Sequence, residues 1–192
     1  MREDKSTGQD DDFELLAMFN QGSVEAFSRI VEKHSGPLIN FLHRYTLERT
    51  ASEDLAQEAF LRLYKAAPDL EPGARLSTIL FKFAYNLAVD RARKNSSRAA
   101  RAQVSSLDAA AEAGREPAAP GPGPDAIYEA AQRAGEVSTA LAELPDTQRL
   151  ALILKVYENR SYAEIAEIMG ASVASIESLL FRARRTLANK LK

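Results

Sequence analysis

The sequence has no cysteine. That absence excludes disulfides, thiolate nucleophiles, Cys-ligated zinc and iron–sulfur clusters. Histidine is scarce as well, with only His34 and His43, so the imidazole-rich ligand sets of transition metals are not on offer and neither a metal nor a cofactor is expected. No run approaches the roughly 18 to 20 consecutive apolar residues that span a bilayer. The opening MREDKSTGQDDDFELL has no apolar stretch behind a basic one. A soluble, cytoplasmic protein without membrane insertion is the expectation. What is present is ordinary globular material: 45% hydrophobic residues in 192 supply enough apolar surface for one or two small cores.

The net charge of -2 conceals local asymmetry. Residues 2–14 carry Glu3, Asp4, Asp10, Asp11, Asp12 and Glu14 against Arg2 and Lys5. From residue 75 to 101 the sign reverses, with Arg75, Lys82, Arg91, Arg93, Lys94, Arg98 and Arg101 against Asp90. The end of the chain repeats this with Arg182, Arg184, Arg185, Lys190 and Lys192. Two separate basic patches in a nearly neutral chain point to two contacts with a polyanion, although solvated helix faces would give the same charge runs.

Residues 98–126 hold ten alanines, three glycines and four of the chain's eight prolines, with Val104 and Leu107 as the only larger aliphatic side chains. Such a segment cannot build a core and reads as a flexible linker, of coil reach ~30 Å and stretched reach ~90 Å. It divides the chain into an acidic disordered start (1–10), a first module (11–97) and a second module (127–192). In the first module apolar residues recur at helical spacing without period-2 alternation, which predicts helices near 11–20, 23–34, 36–46, 51–66 and 76–97. Ser23 is placed to cap one helix, Thr50 with Glu53 to form a capping box, and Pro68, Pro72 and Gly73 to break the chain before the last. After the linker a helix is predicted over about 126–143 and another from Asp146 to about 157. The fold class is therefore all-α, two small helical domains on an Ala/Pro/Gly-rich tether.

The most specific local pattern is SYAEIAEIMGASVASIESLLFRARRTL from Ser161 to Leu187. Ser161 and Glu164 form a capping box, Gly170 stops that helix, and a second starts at Ser172. With Tyr162 counted first, Ala166 is fifth, Gly170 ninth and Ile176 fifteenth, the spacing of a helix-turn-helix: a small residue for close helix approach, a glycine for the positive-φ turn, and an aliphatic side chain packing the second helix back. The second helix would present Ser172, Ser175, Glu177 and Ser178 to base edges and Arg182, Arg184 and Arg185 to phosphates. Glu177 there is either an acceptor for cytosine N4 or a solvated surface residue.

Helical geometry places Asp54, Glu58, Leu61 and Lys65 on one face, with Ala56, Phe60 and Leu63 turned inward. An acidic face carrying an apolar Leu61 fits a basic or mixed protein partner. Farther on, Leu76, Ile79, Leu80, Phe83 and Leu87 form a core stripe, which predicts Phe81 and Tyr85 on the opposite side beside Lys82 and near Arg93. Exposed rings among cations suit single-stranded nucleic acid, and a helix covered on both sides would use the same pattern for packing.

These segments together resemble a small RNA polymerase sigma factor, the extracytoplasmic-function (ECF) group of the sigma-70 family, over nearly the whole chain outside the acidic start and the linker. DLAQEAFLRLYKA (54–66) is similar to the segment that docks on core polymerase, which implies contacts by Asp54, Gln57, Glu58, Leu61 and Arg62. LSTILFKFAYNLAVD (76–90) resembles the helix that reads and melts the -10 element, with Thr78, Leu80, Ala84 and Asn86 on matching positions, and Arg75, Lys82, Tyr85, Asn86 and Arg93 are the residues expected to meet that DNA. Residues 69–75 resemble the loop that pockets a flipped base, and 137–187 the -35 domain. Ile79 stands where the family usually has Trp, Tyr85 where Arg is frequent, and Glu177 and Leu179 where Lys and Arg are common. The resemblance implies core RNA polymerase, duplex -35 DNA and single-stranded -10 DNA as partners, and an anti-sigma factor besides.

No catalysis is expected, because melting by capture of unstacked bases needs no nucleophile or metal. The two elements would lie ~50–65 Å apart at 3.4 Å per base pair, within the stretched but not the relaxed reach of the linker. In the free chain the modules are therefore expected to collapse on each other, covering Asp54, Glu58 or the basic helices. The principal alternative is an autonomous helix-turn-helix regulator acting without core polymerase; a purely structural helical interaction protein and an enzyme using Asp54 and Glu58 as an acid–base pair stand further off.

Overall fold

A computed structural model describes residues 7–71, 75–102, 135, 137 and 139–190. Among these residues the regular structure is entirely helical. In chain order the elements are α1 (Thr7–Asn20), α2 (Val24–Thr46), α3 (Arg49–Ala66) with a 3₁₀ turn over Ala67–Asp69, α4 (Leu76–Ala102), α5 (Asp146–Val156), α6 (Tyr162–Met169) and α7 (Val173–Lys190). Most of the 98–126 segment lies outside the described residues, as does the 126–134 part of the helix predicted before Pro145; residues 139–142 of that helix are helical.

Several boundaries differ from the sequence expectation. The acidic start is helical from Thr7 onward, so residues 7–10 are not part of a disordered arm. At the other end of the module α4 runs to Ala102, five residues beyond its expected end at 97. The helices expected at 23–34 and 36–46 are one continuous α2 with Pro37 inside it. An internal proline removes one backbone bond and costs about 3 kcal/mol, but the turns on either side bury Ile30, Leu38, Phe41 and Leu42 completely. At roughly 1.5–3 kcal/mol for each such side chain, burial outweighs the break. Ser23 caps α2 as expected, accepting from the Ala26 N–H at 3.3 Å.

Thr50 and Glu53 do not form the expected capping box. Helix α3 begins two residues earlier than expected, at Arg49, so Thr50 is inside it. No side chain caps α3; Thr46 Oγ1 accepts from the Glu48 N–H at 3.2 Å and lies 2.8 Å from Ser52 Oγ, while Glu53 pairs with Arg49 at 2.9 Å.

In the first module Leu16, Ile30, Leu38, Phe41, Leu42, Leu63, Leu76 and Leu80 meet in a core formed by α1 to α4. In the second, Leu150, Ile153 and Leu154 of α5 pack on Ile165 and Ile168 of α6 and Ile176, Leu180 and Ala183 of α7. The two sets form one continuous apolar cluster. Helices α5 and α6 rest on α2 and α4, so the modules are closed on each other.

Candidate nucleic-acid interface

Helix α3 buries Leu55, Ala56, Ala59, Phe60 and Leu63 and turns Asp54 and Gln57 to solvent. Leu61 is 45% exposed among these polar groups. Glu58 is half-exposed and accepts from Arg62 Nε at 3.4 Å, one helical turn away. Asp54, Gln57, Glu58, Leu61 and Arg62 thus share one accessible surface. Sequence reasoning missed its continuation in Tyr64, which is 49% exposed while its ring packs on Phe19 and Phe27 at 4.9 and 5.3 Å. Its place one turn beyond Leu61 was the available signal.

Helix α4 departs from expectation at its aromatics. Leu76, Leu80 and Leu87 are buried, with Ile79 and Phe83 partly so. Phe81, expected at the surface, is only 2% exposed. Its ring lies 5.2 Å from Phe41 on one side, and the Arg160 guanidinium sits 4.6 Å from its centre. The helix is therefore covered on two sides, and Phe81 is not available to stack on a base. Tyr85 is half-buried; burial raises its hydroxyl pKa and the nearby Arg93 charge works against that. Lys82, Asn86 and Arg93 remain exposed. Their spacing places them on one side of the helix. Arg75 is drawn off to the second module, where its Nη1 donates to Glu164 Oε1 at 3.5 Å.

The helix-turn-helix is built as its spacing requires. Ser161 Oγ accepts from the Glu164 N–H at 3.2 Å, and the Glu164 carboxylate accepts from the Ser161 N–H at 2.9 Å. Gly170 takes φ +62°, a value that disfavours any side chain. Ala166 and Ile176 are buried between α6 and α7. Ser172 caps α7, its hydroxyl accepting from the Ser175 N–H at 3.2 Å. On the outer face of α7, Glu177, Ser178, Phe181 and Arg182 line one shallow open groove, with Ser175, Arg184 and Arg185 exposed nearby. Phe181 was not anticipated as a site residue, yet it is 67% exposed. Its signal was present, because it falls out of phase with the Ile176, Leu180 and Ala183 stripe.

The contact between modules is polar at its rim. Arg160 Nη1 donates to Ser77 Oγ at 3.1 Å and to Glu164 Oε1 at 3.4 Å. Arg44 approaches Glu158 at 3.7 Å and covers Tyr157, while Arg149 covers Tyr45, each guanidinium 4.4 Å from its ring centre. Burial raises the Glu158 pKa against the pull of Arg44 and Arg160. Burial acts in the same sense on Glu164, but the bonds from Ser161 and the charges of Arg160 and Arg75 outweigh it and hold that carboxyl below its ordinary value. Burial combined with Asp146 raises the Tyr45 hydroxyl to about 12. Closure was expected to cover Asp54, Glu58 or the basic helices: Asp54 and Glu58 stay outside this contact, whereas the basic helix α4 and Arg75 lie in it. Among the described residues no cluster of acidic or imidazole side chains could hold a metal ion, and no helix is long and apolar enough to cross a membrane.

The family models of sigma-70 region 2 and sigma-70 region 4 match residues 30–98 and 134–187. Matched in each module, the chain belongs to the sigma-70 family, and its relatives place it in the ECF group. The RNA polymerase sigma-H factor of Pseudomonas aeruginosa is 26% identical over 184 residues, covering 96% of this chain and 95% of that protein. The ECF sigma factor SigW of Bacillus subtilis is 27% identical over 184 residues, covering 92% and 95%. Two solved structures share the fold. The sigma factor RpoE in complex with the anti-sigma factor NepR, from Bartonella quintana, has a TM-score of 0.69 at 24% identity, covering 88% of this chain and 98% of that one. CnrH, solved with the cytosolic domain of CnrY, has a TM-score of 0.67 at 23% identity, covering 94% and 97%.

Proposed function

We propose that this chain is a cytoplasmic sigma factor that binds core RNA polymerase and directs promoter-specific initiation, with no catalytic step of its own. The observation that carries the reading is the pairing of two sigma-70 modules in one chain with a separate accessible face on each of three helices. Asp54, Gln57, Glu58, Leu61 and Arg62 on α3 form the docking face for polymerase. Lys82, Asn86 and Arg93 on α4, with Tyr85 beside them, meet the non-template strand of the -10 element once it is unstacked; Arg75 joins them when it leaves Glu164. Ser175, Glu177, Ser178, Arg182, Arg184 and Arg185 on α7 meet the duplex -35 element, and Ser172 supports them by capping the helix.

The closed arrangement is the resting form of the free chain in this reading. It brings α6 directly against α4, whereas a -35 and a -10 element lie ~50–65 Å apart at 3.4 Å per base pair. Polymerase must therefore separate the modules. Two groups oppose closure, because Arg149 Nε and Arg160 Nε are buried at the contact without an acceptor. Each such orphaned donor costs about 1–3 kcal/mol. An anti-sigma factor that binds the closed form would keep the chain from polymerase.

The test is sedimentation of the full chain with sigma-free core polymerase, alongside a double charge reversal at Asp54 and Glu58. Complex formation by the parent chain and its loss in the reversal support the reading. A parent chain that fails to associate would return the autonomous regulator to first place.

A further inference from the structure

Glu177 is the only acidic residue of α7. It is exposed, and among the described residues no cation pairs with it. A carboxylate on a helix that approaches phosphates is repelled unless a donor meets it, and the helix nevertheless carries Arg182, Arg184 and Arg185. The neighbours of Glu177 narrow what that donor is. Ser178, one residue on in the same groove, donates its hydroxyl to the Ala174 carbonyl at 3.0 Å, so its one hydrogen is occupied within the helix. Arg182 Nε is turned back onto the Ser178 carbonyl at 3.2 Å, which holds the guanidinium over the groove. Phe181, one turn beyond Glu177, supplies an apolar ring. The groove therefore offers a pure acceptor, an apolar surface and a pure donor.

We infer that Glu177 sets the base preference of the second module by accepting a hydrogen bond from the exocyclic N4 amine of cytosine in the -35 element. This rests on the sigma reading of α7. Of the major-groove edges, cytosine and adenine carry an amine donor, but adenine sets its N7 acceptor beside it, where a carboxylate is repelled. Cytosine presents the donor without that neighbour. Guanine and thymine present only acceptors at this edge, so both are disfavoured. Phe181, exposed in the same groove, is an apolar side chain of the kind that contacts a thymine methyl group.

The test uses the full chain assembled with core polymerase and a promoter library randomised across the -35 element, for the parent chain, Glu177→Gln and Glu177→Arg. The parent complex is expected to select cytosine at one position by about tenfold over the other bases. Glu177→Gln is expected to move that one position to adenine, whose N6 and N7 an amide pairs with, and Glu177→Arg to move it to guanine. Both variants should also bind unselected DNA more tightly, because repulsion is removed. Selection profiles that coincide for all three proteins would overturn the assignment while leaving the sigma reading intact. A chain that forms no complex with polymerase would instead overturn the sigma reading, and this inference with it.

Discussion

The guanidinium of Arg160, in the loop before α6, lies over the ring of Phe81 in α4 and donates to Ser77 one turn earlier on the same helix. A single side chain of the second module thus holds the helix that the first module would use to open DNA. Ring and cation are both largely removed from water, so the contact is worth about 2 kcal/mol. Arg160→Ala is expected to raise the open fraction of the free chain roughly five- to thirtyfold, read as a larger radius of gyration in small-angle scattering. Phe81→Leu should shift it in the same direction while keeping the core filled. Scattering curves that coincide with the parent in both variants would remove Arg160 from this role.

The proposed docking face of α3 makes the opposite demand on a substitution. Asp54 is exposed and Glu58 is engaged only by Arg62 at the surface, so reversing both charges should change stability by no more than about 0.5–1 kcal/mol. Association with core polymerase should nevertheless be abolished in sedimentation. A reversal that unfolds the chain, or one that leaves binding intact, would contradict the assignment.

Acid should loosen α1 before the rest of the first module. Asp12 is buried, and its carboxylate accepts from Lys33 Nζ at 2.6 Å and lies 3.0 Å from His34 Nε2. Burial tends to raise its pKa, but the bonds and charges of His34 and Lys33 outweigh it and hold it below the ordinary 3.8. A depressed carboxyl stabilises the fold fully above its unfolded pKa, and that contribution disappears as pH falls through the folded value. Asp12→Asn should cost about 1–3 kcal/mol at neutral pH and flatten the loss of stability seen below about pH 4. Urea unfolding across that range measures both.

Gly170→Ala isolates the backbone cost of the helix-turn-helix. A Cβ there would meet nothing within 4 Å, but the residue holds φ +62°. The expected loss is therefore conformational alone, about 1–2 kcal/mol, seen as a lower thermal midpoint with -35 binding retained at low temperature. A much larger loss would reveal a packing constraint at the turn.

How far the sequence could be read depends on the range of the interaction. The capping box at Ser161 and Glu164, the turn at Gly170 and the inward set Ala56, Phe60 and Leu63 rest on groups within a turn or two, and each stands as its spacing implies. Thr50 failed because α3 starts at Arg49, which puts Thr50 inside the helix and leaves Glu48 at its cap. The break expected between 34 and 36 failed because burial of Leu38, Phe41 and Leu42 decided α2.

By itself the sequence determined the helical class, the apolar stripes and the helix-turn-helix, since a 3.6-residue period, a side-chain cap and a positive φ are properties of neighbouring residues. Only the tertiary structure decided that Phe81 is buried, that Arg75 is tied to Glu164, and that the modules share one apolar cluster while Asp54 and Gln57 stay free. Those outcomes depend on which surfaces meet across a long tether, and pairings between residues so distant in the chain leave no periodic trace along it.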